Sequence, residues 1–251
     1  MPQRILVTGG TGTLGRLVVG RLAAGGHEVR VLSRGATGVP GAELVGGDLR
    51  TGRGVAAAVS GVDAIVHCAS ATTGDEATTR TLVTAAAAAA RPHLVYISIV
   101  GIDAVNMGYY RAKRAAERVV TGSGLPWTIL RATQFFDLLL RGARPLSRLP
   151  VVPVPAGFVC QPVDADEVAQ RLVQLALGEP AGRVADLAGP QVLSFADVIH
   201  QYLRARHRRR PVVAIPLPGL RAVRAGGLLP GGQADTGSRT WAQFLAGGSA
   251  E

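Results

Sequence analysis

The sequence predicts an α/β fold: a doubly wound parallel sheet with a small C-terminal lobe. Three observations carry that prediction. Arg4 to Gly15, RILVTGGTGTLG, passes from an apolar run through glycines into residues that are apolar at helical spacing. Short apolar runs recur through the first half of the chain, as in strands buried on both faces. Helical stretches separate them, as crossovers between parallel strands require.

A chain of 251 residues with 47% hydrophobic content can bury one large core. Residues 1–140 are therefore expected to form the core, and residues 141–251 a smaller lobe packed on it as a single structural unit. Membrane spans need roughly eighteen consecutive apolar residues, and the chain has no such run. The chain also enters a strand at once, so no secretory leader is expected and a cytoplasmic location is. Cys68 and Cys160 are too few for a disulfide framework or a metal cluster, and both are expected in the core. The formal charge of +10 is spread along the chain, except in Arg204 to Arg210, RARHRRR. No recognition motif accompanies it, so no specific nucleic-acid partner is expected. The excess reads as solvated faces, and it suits an anionic cofactor.

The first strand is Ile5-Leu6-Val7, and Leu17 to Ala23 begin the helix after the turn. Strand, glycine turn and helix in that order are the setting of a dinucleotide site, or Rossmann fold. One glycine permits the tight turn, another lets the backbone approach a pyrophosphate, and a third allows close helix packing. The helix N-terminus then offers N–H groups and a partial positive charge. Gly9, Thr11, Gly12, Thr13, Leu14 and Gly15 are the candidates here. The turn from Thr8 to Gly15 matches TGxxGxxG and resembles the short-chain dehydrogenase/reductase superfamily.

His27 to Ser33 gives a second strand. NAD-binding folds place an acid near this point to hold the ribose 2′-hydroxyl. This chain has Ser33 and Arg34 instead, a hydroxyl and a guanidinium that suit a 2′-phosphate. NADP(H) is therefore expected over NAD(H). Ala42 to Val45 is a third strand, followed by Asp48 and Leu49. The resemblance puts this pair in the adenine pocket; alternatively, Asp48 caps a helix expected over Arg50 to Ser60. Ala64 to Ser70 is the fourth strand, and the resemblance sets Ala69 and Ser70 around the cofactor ribose. His67, inside the apolar run, reads as a satisfied core histidine. Thr78 to Arg91 is an alanine-rich helix with no expected chemistry.

Leu94 to Ile99 is the fifth strand, with Ser98 at the end where open α/β sheets place ligands. Tyr109 and Lys113 follow in Tyr-x-x-x-Lys spacing, which puts both on one face of a helix. A phenol is a poor acid–base at neutral pH unless a nearby cation favours its phenolate. Lys113 is also the only lysine in the chain. A position that keeps lysine where arginine is otherwise used points to a need for a compact ammonium. These residues match the superfamily's Ser-Tyr-Lys set. The resemblance makes Ser98 the group that polarises a substrate carbonyl and Tyr109 the acid–base. Lys113 then supports the phenolate and orients the nicotinamide ribose. Tyr110 is expected to wall a pocket or to pack.

Leu125 to Asp137 gives a sixth strand and then a loop across the cofactor cleft. Together with Tyr96 to Gly101 it resembles the atypical, NmrA-like branch of the superfamily. That branch includes NADP-dependent reductases and cofactor-binding regulators that catalyse nothing. Many of its members lack the tyrosine that this chain keeps, and the Ser98–Tyr109 interval is slightly shorter than in typical reductases.

Farther on, Val151 to Pro155 suits only an edge strand. A helix is expected from Asp164 through Leu177, with acids at its positive end. Ser194 is expected to cap a helix over Phe195 to Arg206. Pro211 to Pro218 reads as strand and turn, Gly226 to Gly237 as a lid or disorder, and Thr240 to Ala246 as a last helix. Phe135, Phe136, Leu138, Leu139 and Phe158 are expected to line a pocket for an apolar or aromatic small molecule. The expectation is thus an NADP(H)-dependent reductase acting on a carbonyl or quinone-like carbon, as monomer or homodimer. A non-catalytic NADP(H) sensor and a non-redox isomerase or dehydratase are the alternatives.

Overall fold

The computed structural model describes residues 1–35, 38–70, 74–219 and 221–247. It opens with β1 (Arg4–Thr8), α1 (Thr13–Ala24), β2 (Glu28–Ser33), β3 (Ala42–Gly46), α2 (Val55–Val59) and β4 (Ala64–His67). Next come α3 (Asp75–Ala88), β5 (His93–Ile99), α4 (Gly108–Thr121), β6 (Trp127–Ala132), α5 (Phe136–Leu146) and β7 (Val152–Pro155). The chain continues through β8 (Val159–Cys160), α6 (Ala165–Leu177), β9 (Gly182–Arg183), β10 (Asp186–Ala188) and β11 (Leu193–Ser194). It closes with α7 (Phe195–Ala205), β12 (Val212–Ile215), α8 (Arg221–Arg224), β13 (Ala234–Thr236) and α9 (Trp241–Ala246).

Two compact units share these elements. The first comprises Met1–Ser98, Met107–Arg131 and Asp166–Val184. Its strands run in the order β6-β5-β4-β1-β2-β3, with β9 beside β6. The β1–β2, β1–β4, β2–β3, β4–β5 and β6–β9 pairs are all parallel. Because helices cover a parallel sheet, its central strands are apolar without alternation. Ile5, Leu6, Val7, Ile65, Val66, Leu94 and Val95 are all fully buried. The inward stripe of α4 is Lys113, Ala116, Glu117 and Val120. Two of those four are charged, and both are paired. Glu117 receives bidentate hydrogen bonds from Arg131 at 2.8 and 2.7 Å.

The second unit comprises Ile99–Asn106, Ala132–Ala165 and Ala185–Glu251. Here β10 pairs in parallel with β13, and Leu187 pairs with Ala132. Its core gathers Phe136, Leu139, Leu140, Val198, Ile199, Trp241 and Phe244. Ser194 and Asp197 form a capping box on α7, as do Thr240 and Gln243 on α9. The proline-bearing β7 pairs only with β12 in a two-stranded sheet, the edge position its prolines allow.

Several expectations need correction. The helix expected over Arg50 to Ser60 is only Val55–Val59, because positive-φ Gly52 and Gly54 hold the chain in turns before it. Asp48 accepts the Arg50 N–H at 2.9 Å within that turn, so it caps a turn rather than a helix. The stretch expected as a loop up to Asp137 already contains the start of α5, whose apolar face packs into the second core. Phe136 and Leu139 are therefore core residues rather than pocket walls. Phe136 is fully buried against Trp241 and Phe244, while Leu138 points outward. The glycine-rich Gly226–Gly237 stretch is structured and includes β13.

Candidate functional site

The glycine turn hangs between β1 and α1. Gly9 has φ +71°, and a side chain there would meet the backbone of Ala69 at 2.6 Å. At Gly15 a Cβ would run into the Gly9 carbonyl oxygen. Only glycine fits either position. Gly12 begins α1 with no side-chain cap, its own N–H bonded to Gly9 O at 2.9 Å. The helix start thus has no side-chain cap for its first N–H groups, the arrangement that suits an anion. The Leu14 side chain is buried, so it could serve a ligand only through its backbone. Thr13 is half-buried, and Thr11 accepts a hydrogen bond from the Arg16 Nε at 2.9 Å through its carbonyl.

Just below the turn lies a buried polar chain. Thr8 Oγ1 and His67 Nδ1 are 2.6 Å apart, and His67 Nε2 and Thr79 Oγ1 are 3.1 Å apart. Thr79 in turn donates to the Asp75 carbonyl at 2.7 Å. His67 is fully buried, and desolvation is the main force lowering its pKa to about 4, with the Lys113 charge adding to it. It is a neutral core histidine with both ring nitrogens engaged.

Lys113 sits in the same interior. Its ammonium lies 3.2 Å from Asp75 Oδ2, donates to the Tyr96 hydroxyl at 3.2 Å and to the Ile97 carbonyl at 3.3 Å. Three acceptors match the three donors of an ammonium. The charge also lies 4.9 Å from the centre of the Tyr96 ring. Burial, and then the Asp75 carboxylate, raise the Tyr96 pKa and keep the phenol protonated. Ser98 follows Tyr96 by two residues along β5, on the same face of the sheet. Its Oγ is buried and has no hydrogen-bond partner among the described residues.

Tyr109 opens α4 at the surface, and its hydroxyl lies 3.4 Å from Ser70 Oγ. Tyr110 stacks edge-on against it, with ring centroids 6.1 Å apart. The structure thus joins Gly9 to Ala69 and Ser70 to Tyr109. It directs Lys113 to Asp75, Tyr96 and Ile97, and gives Ser98 neither Tyr109 nor Lys113 as a hydrogen-bond partner. Ser33, at the end of β2, accepts the Gly35 N–H at 3.3 Å, and Arg34 is exposed beside it. Leu49 is buried, and Asp48 is half-buried. Sequence reasoning missed Asp75 and Tyr96. The available signals were an acid opening a helix and a phenol inside an otherwise apolar strand.

With Gly9 and Gly15 packed against backbone and no side-chain cap on α1, the turn fits a dinucleotide pyrophosphate. A sequence model of the NAD(P)H-binding family matches residues 9–176. The chain belongs to that family. A (4-alkanoyl-5-oxo-2,5-dihydrofuran-3-yl)methyl phosphate reductase from Streptomyces griseus is 32% identical over 81% of this chain and 74% of its own. An NAD(P)H azoreductase from Xenophilus azovorans is 30% identical over 97% of this chain and 89% of its own. Among solved structures, an Escherichia coli NADPH-dependent quinone oxidoreductase has a TM-score of 0.82. It is 18% identical and matches over 97% of this chain and 99% of that one, a likeness of fold.

Proposed function

We propose that the protein is an NADP(H)-dependent reductase that moves hydride between the nicotinamide and a carbonyl or quinone-like carbon of an apolar or aromatic small molecule. The observation that carries this reading is the Ser98 hydroxyl, buried at the C-terminal end of β5 without a partner. A substrate oxygen would supply the acceptor it lacks. The azoreductase and furanone phosphate reductase relatives support the reaction class.

The turn from Gly9 to Gly15 and the start of α1 would hold the pyrophosphate. Ser33 and Arg34 would hold a 2′-phosphate, and Ala69 with Ser70 a ribose. NADPH supplies hydride when bound. Tyr109 would exchange a proton with the substrate oxygen, with Ser70 positioned beside its hydroxyl. Ser98 would polarise that oxygen. For Lys113 to back the phenol or hold a ribose, its ammonium must give up one of its three acceptors.

That last point favours a second reading. With Lys113 held by Asp75, Tyr96 and Ile97, the protein could bind NADP(H) as a regulator and catalyse nothing. NADPH oxidation with a benzoquinone and with an azo dye, beside calorimetric NADPH titration, separates the two. An enzyme oxidises NADPH with one of these acceptors, and Tyr109→Phe lowers its turnover by about 10²–10⁴-fold with binding intact. Unchanged turnover in Tyr109→Phe would refute the role of Tyr109. Tight binding without oxidation would favour the regulator.

A further inference from the structure

The basic segment after α7 borders an open surface cavity of about 650 Å³ in the second unit. Arg204, Arg208, Arg209, Arg210 and His200 line it. We propose that this cavity is a binding site for the phosphate group of a small phosphorylated molecule, a diphosphate or a phosphate ester.

The frame is built rather than floppy. α7 ends in a paired closing motif, with His207 N–H bonded to Arg204 O at 3.0 Å and Arg208 N–H to Leu203 O at 2.9 Å. The left-handed residue of that motif, usually glycine, is His207 at φ 51°. This reversal turns Arg208 back, and its guanidinium donates to the Ser147 carbonyl at 3.3 Å. Three residues on, Pro211 O accepts from Val152 N–H at 2.9 Å, which fixes the far end of the segment. Tyr202 and Leu203 anchor the helix in the core.

The charge is unbalanced. Among the described residues, no carboxylate pairs with Arg204, Arg209 or Arg210. The acid at the cavity wall, Asp197, is occupied by the capping box, accepting from Ser194 Oγ at 2.6 Å and from its N–H at 3.2 Å. Clustered guanidiniums repel one another and are relieved by a dianion, which they can bind through forked, charge-assisted hydrogen bonds. The remaining walls, Leu203 and Pro211, are apolar and small. The nearby aromatic, Tyr202, is buried in the core and gives no platform for stacked bases. Without such a platform, a compact phosphate compound fits this open basic cavity better than a nucleic-acid strand.

The test follows the Arg side-chain Nε–H resonances of the full chain by NMR during titration with inorganic pyrophosphate in about 150 mM salt. Site-specific resonances separate this cavity from the glycine turn, which could also take the probe. Saturable shifts at Arg204, Arg209 and Arg210 are expected. In Arg209→Ala/Arg210→Ala the affinity read at Arg204 should fall about tenfold or more, and Arg209→Lys/Arg210→Lys should restore part of it. Circular dichroism should show both variants folded, since the two side chains are exposed. Shifts that fail to saturate, or that vanish at this salt, would overturn the proposal. So would a short single-stranded oligonucleotide binding the cavity more tightly than pyrophosphate.

Discussion

Asp75→Asn removes the charge that faces the Lys113 ammonium at 3.2 Å, in a pair whose side chains are 3% and 1% exposed. An ammonium left in that interior without its counter-ion costs about 3–5 kcal/mol. Tyr96 Oη and Ile97 O still accept from it, so the lower end, about 3 kcal/mol, is expected. Lys113→Met alone leaves the Asp75 carboxylate buried and should cost a similar amount. The double variant leaves neither charge, so its loss should fall short of the sum by about 2 kcal/mol. Urea unfolding of the four proteins, read from transition midpoints at constant slope, measures this coupling. Additivity within about 0.5 kcal/mol would show that the ion pair is not the buried contact described here. The same Asp75→Asn protein reports on function. If its ammonium is released toward a ribose, NADPH affinity holds or rises while stability falls. A fall in both would assign Asp75 and Lys113 to structure alone.

Three further outcomes are expected. His67 binds its proton near pH 4 when folded and near 6.5 when unfolded, so its stabilising contribution is complete above 6.5 and lost as pH falls toward about 4. That loss is about 3 kcal/mol, and His67→Gln should flatten this part of the pH–stability curve; an unchanged curve would contradict the neutral buried histidine. Gly15→Ala should abolish detectable NADPH binding in calorimetry while the circular dichroism spectrum is kept, because its Cβ meets the Gly9 carbonyl. Arg34→Ala should weaken NADPH by about tenfold to a hundredfold and leave NADH unchanged, and equal losses for both would refute the 2′-phosphate assignment.

Local pattern made most of the first unit legible. Central strands buried on both faces appear as unbroken apolar runs, and the glycine turn is specified by contacts only a few residues apart. His67 was also legible, since a histidine inside such a run needs partners for both nitrogens, and Thr8 and Thr79 supply them. The capping boxes at Ser194 and Thr240 are likewise local. What escaped depends on long-range packing. Asp75 precedes Lys113 by 38 positions and meets it only because α3 and α4 lie together on the sheet. Phe136 and Leu139 have the composition of a pocket, and only their burial with Trp241 and Phe244 shows them to be core. Gly52 and Gly54 shortened α2 because the turns they support took residues whose propensity was helical.

The solitary lysine illustrates how a true sequence signal can have two causes. A chain that uses arginine elsewhere keeps one ammonium at Lys113, and three buried acceptors converge on it. A guanidinium would bring five donors to the same three acceptors and strand the rest in the interior. Packing therefore explains the lysine without any ribose, and its retention does not by itself argue for catalysis. Ser98 is different. A buried hydroxyl without an acceptor costs about 1–3 kcal/mol, and nothing in the fold returns that cost. Threonine or serine elsewhere in this interior is fully engaged, as Thr8 and Thr79 show. An unsatisfied hydroxyl at the strand end where open α/β sheets bind ligands therefore supports the role proposed for Ser98 toward a substrate oxygen.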